Sequence, residues 1–551
     1  MNFAGDQLDG AGSSALTVCR VESSSPNKSS SKTRMPVTAQ GPRHFSRRFV
    51  IKSVLSNWSY LIVNLLVAFW MTPFVVHHLG TDDYGIWALV LQLTGYMGVV
   101  DVGLRSALVR FVAKFQAQGN AEELSDLLNC TLVLYGLMLP ICFAFAAVVA
   151  FVAVPHMQLP PGALGITQIT VFLAAGCISV DFLFATPHAC LAGFSRWDIT
   201  NGVWIGVLLV RTALTVLLLR AGYGLVTLGL IQLSVNLAGY LAEVVLLRRV
   251  LPNFRIRPRL LSLDRIRPIL GHGWNSFLLS IANRVNYQVD SIVIALFLPI
   301  QAVTFYVIGM RLVEYLRDFL NSTTVILAPI VSSLEAVGEA QNVVSAIFRS
   351  TRYSLIVGFL GCVALITLGP SFIYVWMGSA FTEQSGKVLI ILTVGLIAAC
   401  SQFAIAHVLF GLSRHQLNVT WTFIESALNL LFSLILVRRF GIYGVAAGTM
   451  VGNIVIRGWL FPRSFLKIFD INWKKYVQLA VLPAAVPAIL FAGGILLSRK
   501  LFAIQNYQGL AGAFGCGLVP CLIGLWFFGL DAEDRALVQR KTRQRVAHEP
   551  V

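Results

Sequence analysis

Fourteen apolar stretches of about 20 residues each run through this chain, and that repetition limits what it can fold into more than any other feature. A helix of that length matches the hydrocarbon thickness of a bilayer. Within lipid every backbone N–H and C=O needs an internal partner, so stretches that cross it are helices. They fall near 53–76, 85–104, 126–153, 164–187, 199–219 and 225–247, then near 271–297, 302–333, 353–376, 386–411, 416–437 and 442–462, and finally near 476–498 and 508–529. Charged residues are only 12% and apolar ones 56%, against about 25% charged in an ordinary soluble domain. The mean hydropathy is +0.75. The reading is an all-α integral membrane protein of about 14 transmembrane helices, with no soluble catalytic domain.

The formal net charge of +17 would suit a nucleic-acid binder if the basic residues formed a patch. They lie instead between the apolar runs. Loops on the side of the N-terminal tail hold 32 of the 42 Lys and Arg, those on the other side hold 6, and Arg211, Arg284, Arg311 and Arg317 fall within spans. This bias predicts that both termini are cytoplasmic. Residues 1–45 are rich in Ser, including Ser23-Ser24-Ser25 and Ser29-Ser30-Ser31, and read as a disordered tail without the layout of a signal peptide. The nine cysteines contain no CxxC pair, so neither zinc nor redox chemistry is indicated. His77 and His78 precede Asp82 and Asp83 in an external loop, read as solvated. No metal site and no cofactor is expected.

An internal repeat organises the helices. Leu191-Ala192-Gly193-Phe194-Ser195-Arg196 closes the fourth span and Leu409-Phe410-Gly411-Leu412-Ser413-Arg414 closes the tenth, an offset of 218 residues. Tyr223-Gly224 and Tyr443-Gly444 open the sixth and twelfth, at 220. Leu79 and Leu298 follow the first and seventh, at 219. Equivalent helices are six apart and so run in the same direction, the parallel kind of transporter repeat. The expected organisation is a cytoplasmic tail (1–45), a six-helix lobe (46–250), a basic linker (251–270), a second six-helix lobe (271–470), two further helices (471–530) and a cytoplasmic tail (531–551).

Ionisable groups inside spans cost roughly 2.5–3.5 kcal/mol each on insertion scales, so they face a cavity or one another. The seventh span holds Arg284 and Asp290 among Asn283, Asn286 and Gln288; the eighth holds Arg311, Glu314, Arg317 and Asp318. The spacing places 311, 314 and 318 on one helical face. Arginines there offer planar, bidentate donors suited to a diphosphate, and the carboxylates Asp290, Glu314 and Asp318 are candidates for binding a coupling proton or sodium ion. Structural ion pairing is the competing account. Asp101 and Arg105, four residues apart in the second span, are secondary candidates, and Asp181 and Glu425 stand isolated.

Three segments give the chain a family resemblance: Leu79-Gly80-Thr81-Asp82-Asp83-Tyr84-Gly85-Ile86-Trp87, Asp101-Val102-Gly103-Leu104 with Arg110 and Gly119-Asn120, and Asp290-Ser291-Ile292-Val293-Ile294 with Tyr306 and Ala328-Pro329. Over roughly 45–530 the chain resembles the polysaccharide flippases of the multidrug/oligosaccharidyl-lipid/polysaccharide exporter superfamily. The resemblance implies a non-enzymatic flippase that moves undecaprenyl-diphosphate-linked oligosaccharides to the periplasmic leaflet for O-antigen or exopolysaccharide assembly. It also implies alternating access between two lobes, with Arg284 and Arg311 meeting the diphosphate. Its partners would be the lipid-linked sugar, membrane lipids and a polymerase or other assembly component, with no nucleic acid. A drug or small-solute antiporter of the same superfamily is the alternative. A polysaccharide polymerase or ligase fits less well, because the external loops are short.

Overall fold

The computed structural model describes residues 47–250, 281, 284 and 288–540, less 339, 500–503, 532, 537 and 538. Within these residues all regular structure is helical. The N-terminal tail, the basic linker and the last eleven residues lie outside the described part.

The first lobe comprises α1 (Arg47–Gly95), α2 (Val99–Gln118), α3 (Ala121–Val148), α4 (Ala163–Leu183), α5 (Ala185–Gly193), α6 (Trp197–Arg220) and α7 (Leu225–Val250). α1 holds the first span and the start of the second, which meet at Gly80 with φ 81. That backbone conformation strains any residue with a Cβ, so one glycine makes the turn. The second span resumes as α2 after a break at Tyr96–Gly98. In the second lobe α8 (Gln288–Phe297) is the described part of the seventh span. It is followed by α9 (Gln301–Thr324), α10 (Leu327–Ala336), α11 (Ala340–Met377), α12 (Ser379–Ala399), α13 (Ser401–Gly411), α14 (Gln416–Phe440), α15 (Ile442–Gly452) and α16 (Phe461–Ile468). A π-helical segment, Asn453–Leu460, joins α15 to α16. Last come α17 (Trp473–Tyr476), α18 (Leu482–Ser498) and α19 (Tyr507–Gly524). Twelve helices among the described residues are long and apolar enough to cross a membrane. The split second span and the partly described seventh are not among them, so the number fourteen is approximate.

The repeat is written into the backbone. Positive φ values recur at Gly119 and Gly338 (65 and 77), Gly162 and Gly378 (83 and 99), Ser195 and Ser413 (57 and 56), and Gly222 and Gly441 (87 and 56). The two serines are the telling pair, because a left-handed residue other than glycine is uncommon. Each closes its helix in the same way. Ser195 and Arg196 N–H donate to Ala192 and Leu191 carbonyls at 2.8 and 2.9 Å, and Ser413 and Arg414 N–H donate to Phe410 and Leu409 at 3.1 and 2.8 Å. Both are six-to-one helix terminations. The glycine two residues before each serine lets the helix end touch its neighbour. A Cβ on Gly193 would lie 2.5 Å from Val112, and one on Gly411 would lie 2.5 Å from the Ala328 carbonyl oxygen. Gly411→Val is therefore expected to lower stability by about 1–3 kcal/mol, read as a lower thermal midpoint in detergent. Gly136→Ala, where a Cβ meets nothing within 4 Å, should leave it unchanged.

α18 packs on α19 and on α11 of the second lobe. At the end of the bundle that carries the Lys- and Arg-rich loops, called here the basic end, charged groups hold this hairpin in place. Arg349 and Tyr353 bind Asp534, and Arg352 binds Asp531 while its Nε donates to the Leu479 carbonyl at 2.7 Å.

Candidate functional site

The two lobes join at the end opposite the basic one. Thr304 Oγ1 donates to the Thr81 carbonyl at 2.6 Å, and Gln301 Nε2 donates to Asp82 Oδ2 at 3.0 Å. Gln158 N–H donates to the Ala295 carbonyl at 3.0 Å, and its own carbonyl accepts from Ile300 N–H at 3.2 Å. Trp376 Nε1 donates to the Phe69 carbonyl at 2.8 Å, with the Phe69 and Trp376 rings stacked at 5.5 Å. Tyr96 Oη also donates across the lobes, to the Arg284 carbonyl at 3.3 Å. Towards the basic end Asp318, Asn321, Ser322 and Thr323 of α9 are exposed. A carboxylate on a spanning helix is costly against lipid, which favours water over lipid beside Asp318. Among the described residues, the hydrogen bonds between the lobes named above gather towards the end opposite the basic one.

Close approach makes this junction. A Cβ on Gly85 would lie 2.5 Å from the Ile300 carbonyl oxygen. Gly85→Val is expected to hold the lobes apart there and to raise the rate at which an impermeant maleimide labels a Thr304→Cys reporter from that side at least tenfold. Unchanged labelling would mean that the junction does not depend on this contact.

Two groups of polar side chains lie between and within the lobes. In the first, Arg311 Nη1 donates to Glu314 Oε2 at 2.9 Å, and Arg317 Nη2 lies 3.9 Å from Glu314 Oε1. Glu314 thus sits between two guanidinium groups. Arg284 lies against the second span, its Nη1 3.0 Å from where a Cβ of Gly95 would be. A glycine is needed there to admit both Arg284 and Gln288.

In the second group Asp290 is buried inside the second lobe. Its Oδ2 accepts from Tyr306 Oη at 2.5 Å and Thr449 Oγ1 at 2.8 Å, and its Oδ1 accepts from Asn429 Nδ2 at 3.4 Å. Asn429 Oδ1 accepts from Ser433 and Thr449, each at 3.1 Å, and Ser433 also donates to the Val445 carbonyl at 3.3 Å. A small cavity lined by Asp290, Tyr306, Thr449, Gln402, Glu314 and Arg317 joins this cluster to the arginine group.

The sequence candidates therefore divide. Arg311, Glu314 and Arg317 come together, Asp318 is exposed one turn further on, and Asp290 faces inward, connected to the arginine group through that cavity. Arg105 lies close to Tyr240 of α7 within the first lobe; the Asp101 side chain is outside the described part. Glu425 is not isolated, and Arg457, counted among the loop residues in the sequence, is buried inside the twelfth span. Arg457 Nε donates to Glu425 Oε2 at 2.5 Å, and its other nitrogens to Asn418 and Thr422 at 2.9 and 2.7 Å. His77 and His78 bond carbonyls of their own helix at 2.6 and 2.8 Å. No cluster of three or more His, Cys, Asp or Glu that could hold a metal occurs among the described residues. Sequence reading missed Asn429, Ser433 and Thr449. Their signal was there, polar residues four apart in the eleventh span and one in the next.

Curated relatives resemble the chain along most of its length. The "Uncharacterized membrane protein EpsK" of Bacillus subtilis is 22% identical over 89% of this chain and 97% of its own. The "Probable low-salt glycan biosynthesis flippase Agl15" of Haloferax volcanii is 24% identical over 83% and 89%. Among solved structures, the lipid II flippase MurJ in an inward closed conformation superposes with a TM-score of 0.68 at 14% identity, over 88% of this chain and 99% of that one; that likeness concerns the fold. A family model described as "Polysaccharide biosynthesis protein" matches residues 50–335, just over half of the chain, and this multi-pass membrane protein belongs to that family.

Proposed function

We propose that the chain is a flippase of the bacterial inner membrane that turns an undecaprenyl-diphosphate-linked oligosaccharide from the cytoplasmic to the outer leaflet. The observation that carries this reading is the cluster of Arg311 and Arg317 about Glu314 on a spanning helix, with Asp318 exposed beside it, while the lobes are bonded to each other at the end opposite the basic one. Taking the basic end as cytoplasmic, this is the state that receives substrate. Arg284 and Arg311 bind the diphosphate through bidentate donors, the sugar occupies the wide part of the cleft, and the lipid tail stays in the bilayer. Opening the seal at Thr81, Asp82 and Gly85 while the basic end closes releases the sugar outside.

Return of the empty carrier is coupled to an ion at Asp290. One carboxylate among neutral oxygens from Asn429, Ser433, Val445 and Thr449 suits a proton or a monovalent hard cation better than a divalent metal, which takes more carboxylates. Asp290→Asn is expected to preserve folding and to make export insensitive to collapse of the ion gradient. Export that still falls on collapse would place coupling elsewhere. The substrate is tested by deleting the gene and analysing lipid extracts. Accumulation of a diphosphate-linked oligosaccharide on the cytoplasmic leaflet supports the reading, and retained drug with normal polysaccharide overturns it in favour of an antiporter.

A further inference from the structure

The first lobe contains a buried carboxylate that the proposed transport path does not use. Glu243 on α7 is 0% exposed, seven residues before the end of its helix, roughly 10 Å into the bundle from the basic end. His188 Nδ1 lies 3.1 Å from each of its oxygens, and Trp204 Nε1 donates to Oε1 at 3.0 Å. Aromatic rings enclose the group. Tyr240 stacks on Phe184 at 5.5 Å and meets Trp204 edge-on at 4.9 Å. Three helices of one lobe converge on a single carboxylate.

The corresponding helix pair of the second lobe shows what a permanent clamp looks like. There Glu425 is held by Arg457, a cation at every accessible pH, between the eleventh and twelfth spans. Glu243 sits between the fifth and sixth, and its direct partners are an indole, which is always neutral, and an imidazole, which ionises near neutral pH. An ionised carboxylate in such surroundings is costly without a balancing charge. A proton added to the His188–Glu243 pair brings that balance within the pair itself. The His188 side chain is 16% exposed and that of Glu243 is not, so the imidazole is the accessible end of the pair.

His188 also stands on a hinge. α4 breaks at Phe184, and α5 carries His188 beyond the break. The second lobe breaks at the same place before α13, whose His407 bonds Asn321 at 3.1 Å instead of an acid. The packed helices also carry Arg105, Arg110 and Lys114 on α2, Glu123 and Asp126 on α3, Asp181 on α4, Asp198, Arg211 and Arg220 on α6, and Tyr240, Arg248 and Arg249 on α7. Asp198 is paired with Arg196 at 3.1 Å. Tyr240 hydrogen-bonds Asp181 and lies near Arg105, so a second polar layer backs the pair one turn deeper.

We infer that His188 and Glu243 form a proton-binding site in the first lobe, reached by water from the basic end and separate from Asp290, and that its occupancy sets how firmly α5 is held against α7. The uptake is one proton: a pair of charge −1 becomes a neutral pair, with the proton between imidazole and carboxylate. This inference does not depend on what the protein transports.

Trp204 is a built-in reporter, because its indole N–H bonds the titrating carboxylate. The experiment is a fluorescence titration of the purified full-length chain in nanodiscs from about pH 5 to 8, the range in which a histidine changes charge. The wild type should show a reversible transition that is lost in Trp204→Phe and in Glu243→Gln. In His188→Gln the transition should be displaced, because the carboxyl then takes the proton alone. Infrared difference spectra over the same range should contain a protonated-carboxyl band that Glu243→Gln removes. A wild type and Trp204→Phe with superimposable titrations, or a carboxyl band that persists in Glu243→Gln, would overturn the proposal and leave the pair a packing contact. Should Glu243→Gln fail to fold, Trp204→Phe and His188→Gln decide the matter, the former by loss of the transition and the latter by its displacement.

Discussion

Arg311→Ala, expressed and inserted at the wild-type level, is expected to abolish polysaccharide export in a strain lacking its own copy. Arg311 is already oriented by Glu314, 2.9 Å away, so under the proposed function its guanidinium would meet an incoming diphosphate with little loss of freedom. Truncating one partner of a hydrogen-bonded charge pair costs about 2–5 kcal/mol, roughly thirtyfold to several thousandfold in affinity. Arg311→Lys keeps the charge but not the fork and should fall between. Arg284→Ala should weaken export less, because Arg317 remains beside Arg311 to meet the same phosphate. Glu314→Gln separates binding from release: without the carboxylate to reclaim the arginines, a diphosphate lipid should bind more tightly and turn over more slowly. Full export by both Arg284→Ala and Arg311→Ala, at normal expression, would remove the arginines from the mechanism while leaving the fold assignment untouched.

The largest effect on stability is expected at the other arginine. Arg457 is 3% exposed and Glu425 1%, and Asn418 and Thr422 each accept from one of the two terminal guanidinium nitrogens. Its ring neighbour is Phe461, 5.1 Å from the guanidinium carbon. Arg457→Met leaves a buried carboxylate without its cation and should cost about 3–5 kcal/mol, seen as a large fall in thermal midpoint and in the amount of protein recovered from the membrane. Arg457→Met with Glu425→Leu should recover most of that loss, because an apolar pair of similar volume needs no desolvation. A double variant as unstable as the single one would point to Asn418 and Thr422 as the groups that require the guanidinium.

Sequence alone was enough for the class of protein, because apolar length is a one-dimensional property and the bilayer reads it directly. The duplication was legible in the same way. Leu-x-Gly-x-Ser-Arg recurs because each copy ends a helix with a left-handed serine after a glycine that touches a neighbouring helix, so a local backbone demand left a local signature at Ser195 and Ser413. The arginines and carboxylates of the eighth span were legible too, since their spacing on one helix fixes their common face.

Partnership between distant helices was not legible. Glu425 looked isolated because its cation lies 32 residues away, and Glu243 drew no attention because His188 and Trp204 are 55 and 39 residues away. Asp290 read as a residue of the cleft wall. Packing turned it inward, against Asn429 and Thr449 from the eleventh and twelfth spans. Charge and apolar length are properties of a segment, and the sequence by itself determined the membrane class and the repeat from them. Which buried charge meets which partner depends on how helices rotate and pack about one another, and only the tertiary structure decided that.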